Sequence, residues 1–254
     1  MDRICEMSIM KVWPKIINQI FATDYLIYDD ASKSNEEKFT LNLYDVLHCK
    51  ILDSKNTTIP AKYPYNKHFL EEYFKQFMNS SNEHNFSYTY GERLGSYPNS
   101  NRFSYINQTE HIIRILNNNI NSRRAIISLG YPLNDFYLDD VPCLQLIDFK
   151  FSNSTCTIDL YAYFRSQDVM AFPANAYALA QYLNYVATRI NRIGGSVNII
   201  CSNEHMYERD WEYLYKNVYN IQSKNYDLWK AAIKVRQNKI KSCYCNNNRC
   251  GDDP

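Results

Sequence analysis

The side chain with the most obvious chemistry is a cysteine. Cys143 sits in DDVPCLQLIDFKF, directly after Pro142 and at the entrance to a strand-like run. A cysteine in apolar sequence is commonly a small buried hydrophobe. With cationic side chains able to favour its thiolate, it can instead act as a nucleophile. Arg123 and Arg124 stand together in NSRRAIISLG, with Arg123 twenty positions before Cys143. Their alternative reading is a solvated basic pair. Three more cysteines, Cys243, Cys245 and Cys250, crowd the terminal KSCYCNNNRCGDDP. A zinc site asks for four ligands, usually with a CxxC or a nearby histidine. These fall short, so no metal is expected, and residues 241–254 read as a flexible Cys/Asn-rich tail.

Elements must hold these residues. Val12 to Ala22 places Val12, Ile16, Ile17 and Ile20 on one helical face, and the polar stretch Asp29 to Lys38 follows as a loop. Phe39 to Asp53 alternates as a strand. A helix is expected over Tyr65 to Met78, closed by NSSNEHN, and another over Gln108 to Asn117 with Ile112, Ile113 and Leu116 inward. Strand-like runs cover Ala125 to Leu129, Leu144 to Phe151 and Cys156 to Phe164. Ala174 to Ile193 reads as a long Ala-rich helix ended by Gly194-Gly195. Val197 to Cys201 then reads as a short buried strand and Tyr207 to Lys216 as a further helix. No repeat and no linker divides the chain, so one α+β domain is expected.

Composition narrows the function classes. A chain of 254 residues can bury a sizeable core, and 45% hydrophobic with 22% charged residues is ordinary globular usage. Lys+Arg 28 against Asp+Glu 27 leaves a net charge of +1, which argues against a dedicated nucleic-acid binder. No apolar run approaches the roughly 20 residues of a membrane span. Glu6, Lys11 and Pro14 interrupt the first apolar stretch, making it a poor signal peptide. Eight cysteines at scattered spacings do not form a secreted disulfide framework, so a reduced, cytoplasmic protein is expected.

Five segments, in order along the chain, resemble the thymidylate synthase family. They are YGERL (Tyr90 to Leu94), SRRAI (Ser122 to Ile126), VPCLQL (Val141 to Leu146), FRSQDVMAFPANAYAL (Phe164 to Leu179) and NEHMY (Asn203 to Tyr207). The arginine-to-cysteine spacing matches as well. The resemblance implies a catalytic α+β domain over residues 1–240, with a mixed β-sheet flanked by helices and a homodimer packed sheet to sheet. It also implies C5 modification of a pyrimidine nucleoside monophosphate using 5,10-methylenetetrahydrofolate, foremost reductive methylation of dUMP to dTMP.

Residue by residue, the resemblance makes Cys143 the thiolate that adds to C6 and turns C5 into a carbon nucleophile. Arg165 and Ser166 would bind the nucleotide phosphate, for which a planar, permanently charged guanidinium is well shaped. Arg123 and Arg124 would reach the phosphate held by the partner subunit. Asp168 would contact the base through its backbone and face the folate with its side chain. Asn175 would read the pyrimidine edge, its amide serving O4 and N3–H of uracil together. His205 and Tyr207 would hold the sugar 3′-hydroxyl. In FLEEYFKQFM, Glu72 would be the helix-borne glutamate that organises water at O4, with Glu71 the neighbouring candidate. Tyr90 would stand near the proton that leaves C5.

The chain also departs from conventional synthases. Leu144 follows the nucleophile where they have histidine, and the run from Asp168 to Asn175 is one residue shorter. NSSNEHNFSYTYGERL lacks the tryptophans placed beside the folate, and Lys33 is the nearest candidate for an N-terminal phosphate arginine. The tail ends in CGDDP rather than a short apolar terminus. The losses gather on the folate side, so three readings stand: a synthase, a nucleotide 5-hydroxymethylase that admits water to the same intermediate, and a nucleotide-binding homologue without turnover.

Overall fold

A computed structural model describes residues 2–23, 25–29, 38–81, 87–98, 104–138, 140–219 and 225–248. In chain order the first half forms β1 (Asp2–Glu6), α1 (Ile9–Thr23), β2 (Tyr25–Tyr28), β3 (Phe39–Asn42), β4 (Leu47–Ile51), α2 (Lys67–Met78), α3 (Tyr90–Gly95), β5 (Tyr97–Pro98), β6 (Tyr105–Ile106) and α4 (Gln108–Asn118). Then come β7 (Ile126–Ser128), α5 (Pro132–Asp135), β8 (Leu144–Ser152), β9 (Thr157–Phe164), β10 (Gln167–Asp168), α6 (Phe172–Arg189), β11 (Ile193–Cys201), β12 (Glu204–Tyr207), α7 (Glu208–Asn217) and α8 (Tyr226–Asn248). This is a mixed α+β fold. The residues cluster into two compact units, Met1–Trp13 with Asp45–Glu204 and Pro14–Tyr44 with His205–Pro254. No described helix is long and apolar enough to cross a membrane.

The first unit is built on a six-stranded mixed sheet in the order β1-β4-β11-β9-β8-β7. Strand β1 runs parallel to β4 and β11 parallel to β9, while the remaining pairs are antiparallel. Period-two alternation sorts the faces. One transverse row reads Ile4, Cys49, Ile199, Ala162, Ile147 and Ile127, all buried. Helix α6 packs against β11 and β9. Buried Ala174, Ala176, Ala178 and Ala180 keep its surface thin enough for close approach, and alanine is also the best helix former. Helix α2 packs on α6, and α3 on α2. The next row on the opposite face reads Cys5, Lys50, Asn198, Tyr161, Asp148 and Ile126, with Ile126 48% exposed.

In the second unit β3 lies between β2 and β12, antiparallel to both. Helix α8 packs against β2 and α7 against β3. Aromatic rings fill the centre: Phe21 meets Tyr215 at 5.3 Å, Tyr219 at 4.8 Å and Trp229 at 5.4 Å between centroids.

Several boundaries differ from the sequence reading. The expected strand Phe39 to Asp53 is two strands, β3 and β4, which belong to different units. The long helix stops at Arg189, not Ile193, and Asn191 takes a left-handed φ of 53° just beyond it. Gly194 and Gly195 lie within β11 at a break in its register with β9. A Cβ at Gly195 would run into the Asp159 and Thr157 side chains, so the glycine serves close approach rather than helix termination. Residues 241–248 of the expected tail are helical as the end of α8. Cys250 and Lys33 lie outside the described residues.

Candidate active site

The β8–β9 hairpin register assembles the site. Leu144 pairs with Phe164, so the residue before one strand and the residue after the other become neighbours. Those residues are Cys143 and Arg165, and the Arg165 backbone N–H donates to the Cys143 carbonyl at 2.9 Å. The guanidinium folds back over the same turn: Nε donates to the Pro142 carbonyl at 3.1 Å and Nη2 to the Val141 carbonyl at 2.8 Å. The Gln145 amide also donates to the Pro142 carbonyl. A fixed cation therefore sits beside a half-buried thiol. Burial pushes the Cys143 thiol up from its ordinary value, Arg165 pulls it down, and Asp140 pushes it up again.

Three phenols face this turn. Tyr90 opens α3, which Thr89 caps by accepting from the Glu92 N–H at 3.0 Å. The Tyr90 hydroxyl accepts from the Leu144 N–H at 3.3 Å. Tyr88 hydrogen-bonds with the Cys143 backbone and with Tyr90. Tyr73, on α2, donates its hydroxyl proton to Asn175 Oδ1 at 2.6 Å. Burial pushes all three phenols up, Tyr88 to about 12, so they remain neutral near physiological pH. With Phe77 and Asp140 they line a cavity of about 410 Å³. Gly91 makes the α2–α3 approach possible, since a Cβ there would fall on the Asn79 backbone.

The remaining candidates are placed as follows. Asn175 is 7% exposed on the first turn of α6. Asp168 accepts the Met170 N–H at 3.0 Å through Oδ1, shaping the entry to that helix. Ser166 donates to the Asn203 carbonyl at 3.4 Å. Glu72 is turned to solvent, its side chain 46% exposed, and bonds Lys75 at 2.6 Å. Glu71 pairs with Lys67 at 3.5 Å. Arg123 and Arg124 are exposed, and Arg123 lines a separate depression of about 400 Å³ with Asp148 and Lys150. His205 and Tyr207 belong to the second unit, where their rings meet edge to face at 4.9 Å and Arg209 lies 4.4 Å over Tyr207.

Sequence reasoning missed Tyr73, Tyr88 and Asp140. Tyr73 had a signal, because Leu70, Tyr73 and Phe77 recur at i, i+3 and i+7, and Leu70 and Phe77 are buried. It also missed two buried polar side chains, Gln167 on β10 and Glu204 at the start of β12. Glu204 is 1% exposed, and neither of its carboxyl oxygens nor either polar atom of the Gln167 amide has a well-formed hydrogen bond among the described residues.

Comparison with known proteins adds the family. A sequence description of the thymidylate synthase family matches residues 40–247. A protein of Methanococcoides burtonii is 32% identical over 216 residues, covering 85% of this chain and 94% of its own length. One from Methanosarcina barkeri is 33% identical over 81% of this chain and 89% of itself. One from Methanocaldococcus jannaschii is 35% identical over 66% and 76%. Each of the three is named, provisionally, as a thymidylate synthase.

Proposed function

The chain belongs to the thymidylate synthase family, and on that premise we propose that it methylates C5 of dUMP to give dTMP, with Cys143 as nucleophile. The observation that carries this is the turn itself: a half-buried thiol bracketed by the Arg165 guanidinium and the hydroxyls of Tyr88 and Tyr90. Arg165 favours the thiolate, whose addition at C6 moves an electron pair towards C5 and O4. Carbon–carbon bond formation at C5 is followed by loss of the C5 proton, for which the neutral Tyr90 phenol and water are the acid–base groups. Loss of that proton would accompany cleavage of the carbon–nitrogen bond to the one-carbon donor, and a hydride from the same donor would then supply the electron pair that expels Cys143 as thiolate and restores the C5–C6 double bond. Arg165 and Ser166 bind the phosphate, His205 and Tyr207 the 3′-hydroxyl, and Asn175 the base edge.

5,10-Methylenetetrahydrofolate supplies the one-carbon unit and the hydride when bound. The aromatic walls of the cavity, Phe77 and Tyr88, with the Asp140 carboxylate beside them, fit a flat heterocycle that carries N–H donors. Asp168 faces the same ligand. The homodimer uses the open sheet face, and Arg123 and Arg124 serve the partner's phosphate.

The test is to incubate the protein with methylenetetrahydrofolate and each of dUMP, UMP, dCMP and CMP, identifying products by mass. Methyl gain on dUMP with the absorbance of dihydrofolate is the expected result. Hydroxymethyl gain without dihydrofolate makes it a hydroxymethylase. No release of tritium from C5 makes it a binding protein.

A further inference from the structure

We propose that Tyr73 is the specificity-determining partner of Asn175: its hydroxyl locks the amide in one orientation, so that the site separates uracil from cytosine. The inference rests on the nucleotide reading above and deepens it. Uracil and cytosine present the same two kinds of group along this edge, one donor and one acceptor, in reversed positions. An amide side chain suits either base after a 180° flip. Selectivity therefore needs something that forbids the flip, and Asn175 alone cannot provide it.

Tyr73 can. The Asn175 backbone is held on the first turn of α6 by its N–H bond to the Ala171 carbonyl at 3.0 Å, and its side chain is almost wholly enclosed. The phenol reaches Oδ1 from α2, which packs on α6. A neutral hydroxyl has one proton to give, and here it goes to Oδ1. That oxygen keeps a second lone pair, and both Nδ2 protons stay available, so the amide still offers one acceptor and one donor to a base. Flipping would turn Nδ2 towards Tyr73 and oblige the phenol to accept, leaving its own proton to find another partner. The other polar groups interacting with it among the described residues include Tyr88, Cys143, Tyr90 and Tyr63; Tyr63 donates its own proton to the Met170 carbonyl at 3.0 Å, and Tyr90 accepts the Leu144 N–H at 3.3 Å. Tyr88 is engaged with Tyr90 and the Cys143 backbone, and the thiol is the reacting group. An unpaired buried donor shifts the balance of the two orientations by about ten- to hundredfold. Glu72, one position away on the same helix, takes no part because it faces solvent and bonds Lys75.

The experiment compares wild type with Tyr73→Phe, which keeps the ring and removes the proton. Tritium release from C5 gives kcat/KM for dUMP and dCMP, calorimetry in a Cys143→Ser background gives the binding ratio, and a thermal melt checks the fold. The expected result is a wild-type ratio of at least about tenfold that falls towards unity in Tyr73→Phe, with an unchanged melt. A variant that loses activity on both nucleotides equally, or keeps the wild-type ratio, overturns the inference and leaves the nucleotide reading standing. A wild-type protein that prefers dCMP, with the preference lost in Tyr73→Phe, supports the lock while refuting dUMP as substrate. Failure of the wild type to bind any pyrimidine nucleotide overturns both.

Discussion

Replacing Glu204 with glutamine should stabilise the protein increasingly as pH rises. Glu204 opens β12 at the boundary of the first unit and is fully enclosed. Burial pushes its carboxyl well above the ordinary 4.5, the nearby Cys201 thiol lowers it, and the negative charge of Asp168 raises it again. The Cys201 contact is a weak one, since neither carboxyl oxygen makes a well-formed hydrogen bond. The folded state thus keeps a proton that the unfolded chain releases above about pH 4.5. The stability associated with that proton is complete below the unfolded value and declines as pH rises towards the folded value. The slope is about 1.4 kcal/mol per pH unit for one group. For a chain of this size that amounts to roughly 3–6 °C of Tm per unit. Glutamine has nearly the same shape and no proton to lose. Thermal melts of wild type and Glu204→Gln upward from about pH 5 should therefore diverge, the variant gaining on the wild type until the folded carboxyl itself titrates. Staying below pH 8 avoids titration of Cys49 and Cys201, whose thiols burial pushes up. Parallel curves would refute the reasoning, because they would mean Glu204 is ionised, and solvated or paired, in the native state.

Arg165→Ala should move the pH profile for alkylation of Cys143 to higher pH, read by peptide mass, since the guanidinium is what lowers that thiol; Asp140→Asn should move it the other way. Arg93→Met should cost about 3–5 kcal/mol in denaturant unfolding, because it strands Asp135 from a buried ion pair of 2.6 Å. The double variant Arg93→Met, Asp135→Leu should recover much of that loss, and no recovery would mean the pair holds the loop by more than charge. Sedimentation at micromolar concentration should show a dimer. Mixing Cys143→Ser subunits with subunits carrying Arg123→Ala and Arg124→Ala should restore about a quarter of wild-type activity, as a site shared across a two-fold axis requires; a mixture as inactive as its parts would refute the shared site.

What was legible in the sequence follows a physical pattern. Alternation fixed the faces of β9 and of β8 from Ile147 onward, whereas Cys143 lies beyond a break in register between Leu144 and Leu146 and was found from its motif and not from the period. The break between β3 and β4 left no such mark. Phe39, Leu41, Leu47, Cys49 and Ile51 are buried at odd positions on both sides of it, so the period runs through unchanged. Strand β1 is a five-residue edge whose interior contribution is Ile4 alone, too little for a pattern. The glycine pair looked like a helix stop because nothing local distinguishes a C-cap from a β-bulge; Asp159, which excludes a side chain at Gly195, lies far back in the sequence.

The candidate site shows the same division. Cys143, Arg165 and Tyr90 come from short segments whose neighbours along the chain are also neighbours in space, and motif reading could find them. Glu72 and Tyr73 are adjacent in sequence but differ by a turn of about 100° around α2. The carboxylate was the chemically attractive choice. The helix decides otherwise, because Leu70 and Phe77 bury one stripe and carry Tyr73 with them, which leaves Glu72 to Lys75 and the solvent. Where residue chemistry and helical phase disagree, phase governs, since rotating α2 to bring Glu72 inward would expose Leu70 and Phe77 at a cost of about 1.5–3 kcal/mol each. A single polar contact returns about 1 kcal/mol and cannot offset that. If Asn175 reads the base as proposed, its partner on α2 is a phenol, and the pH dependence of nucleotide preference should be that of a group that does not titrate in the working range.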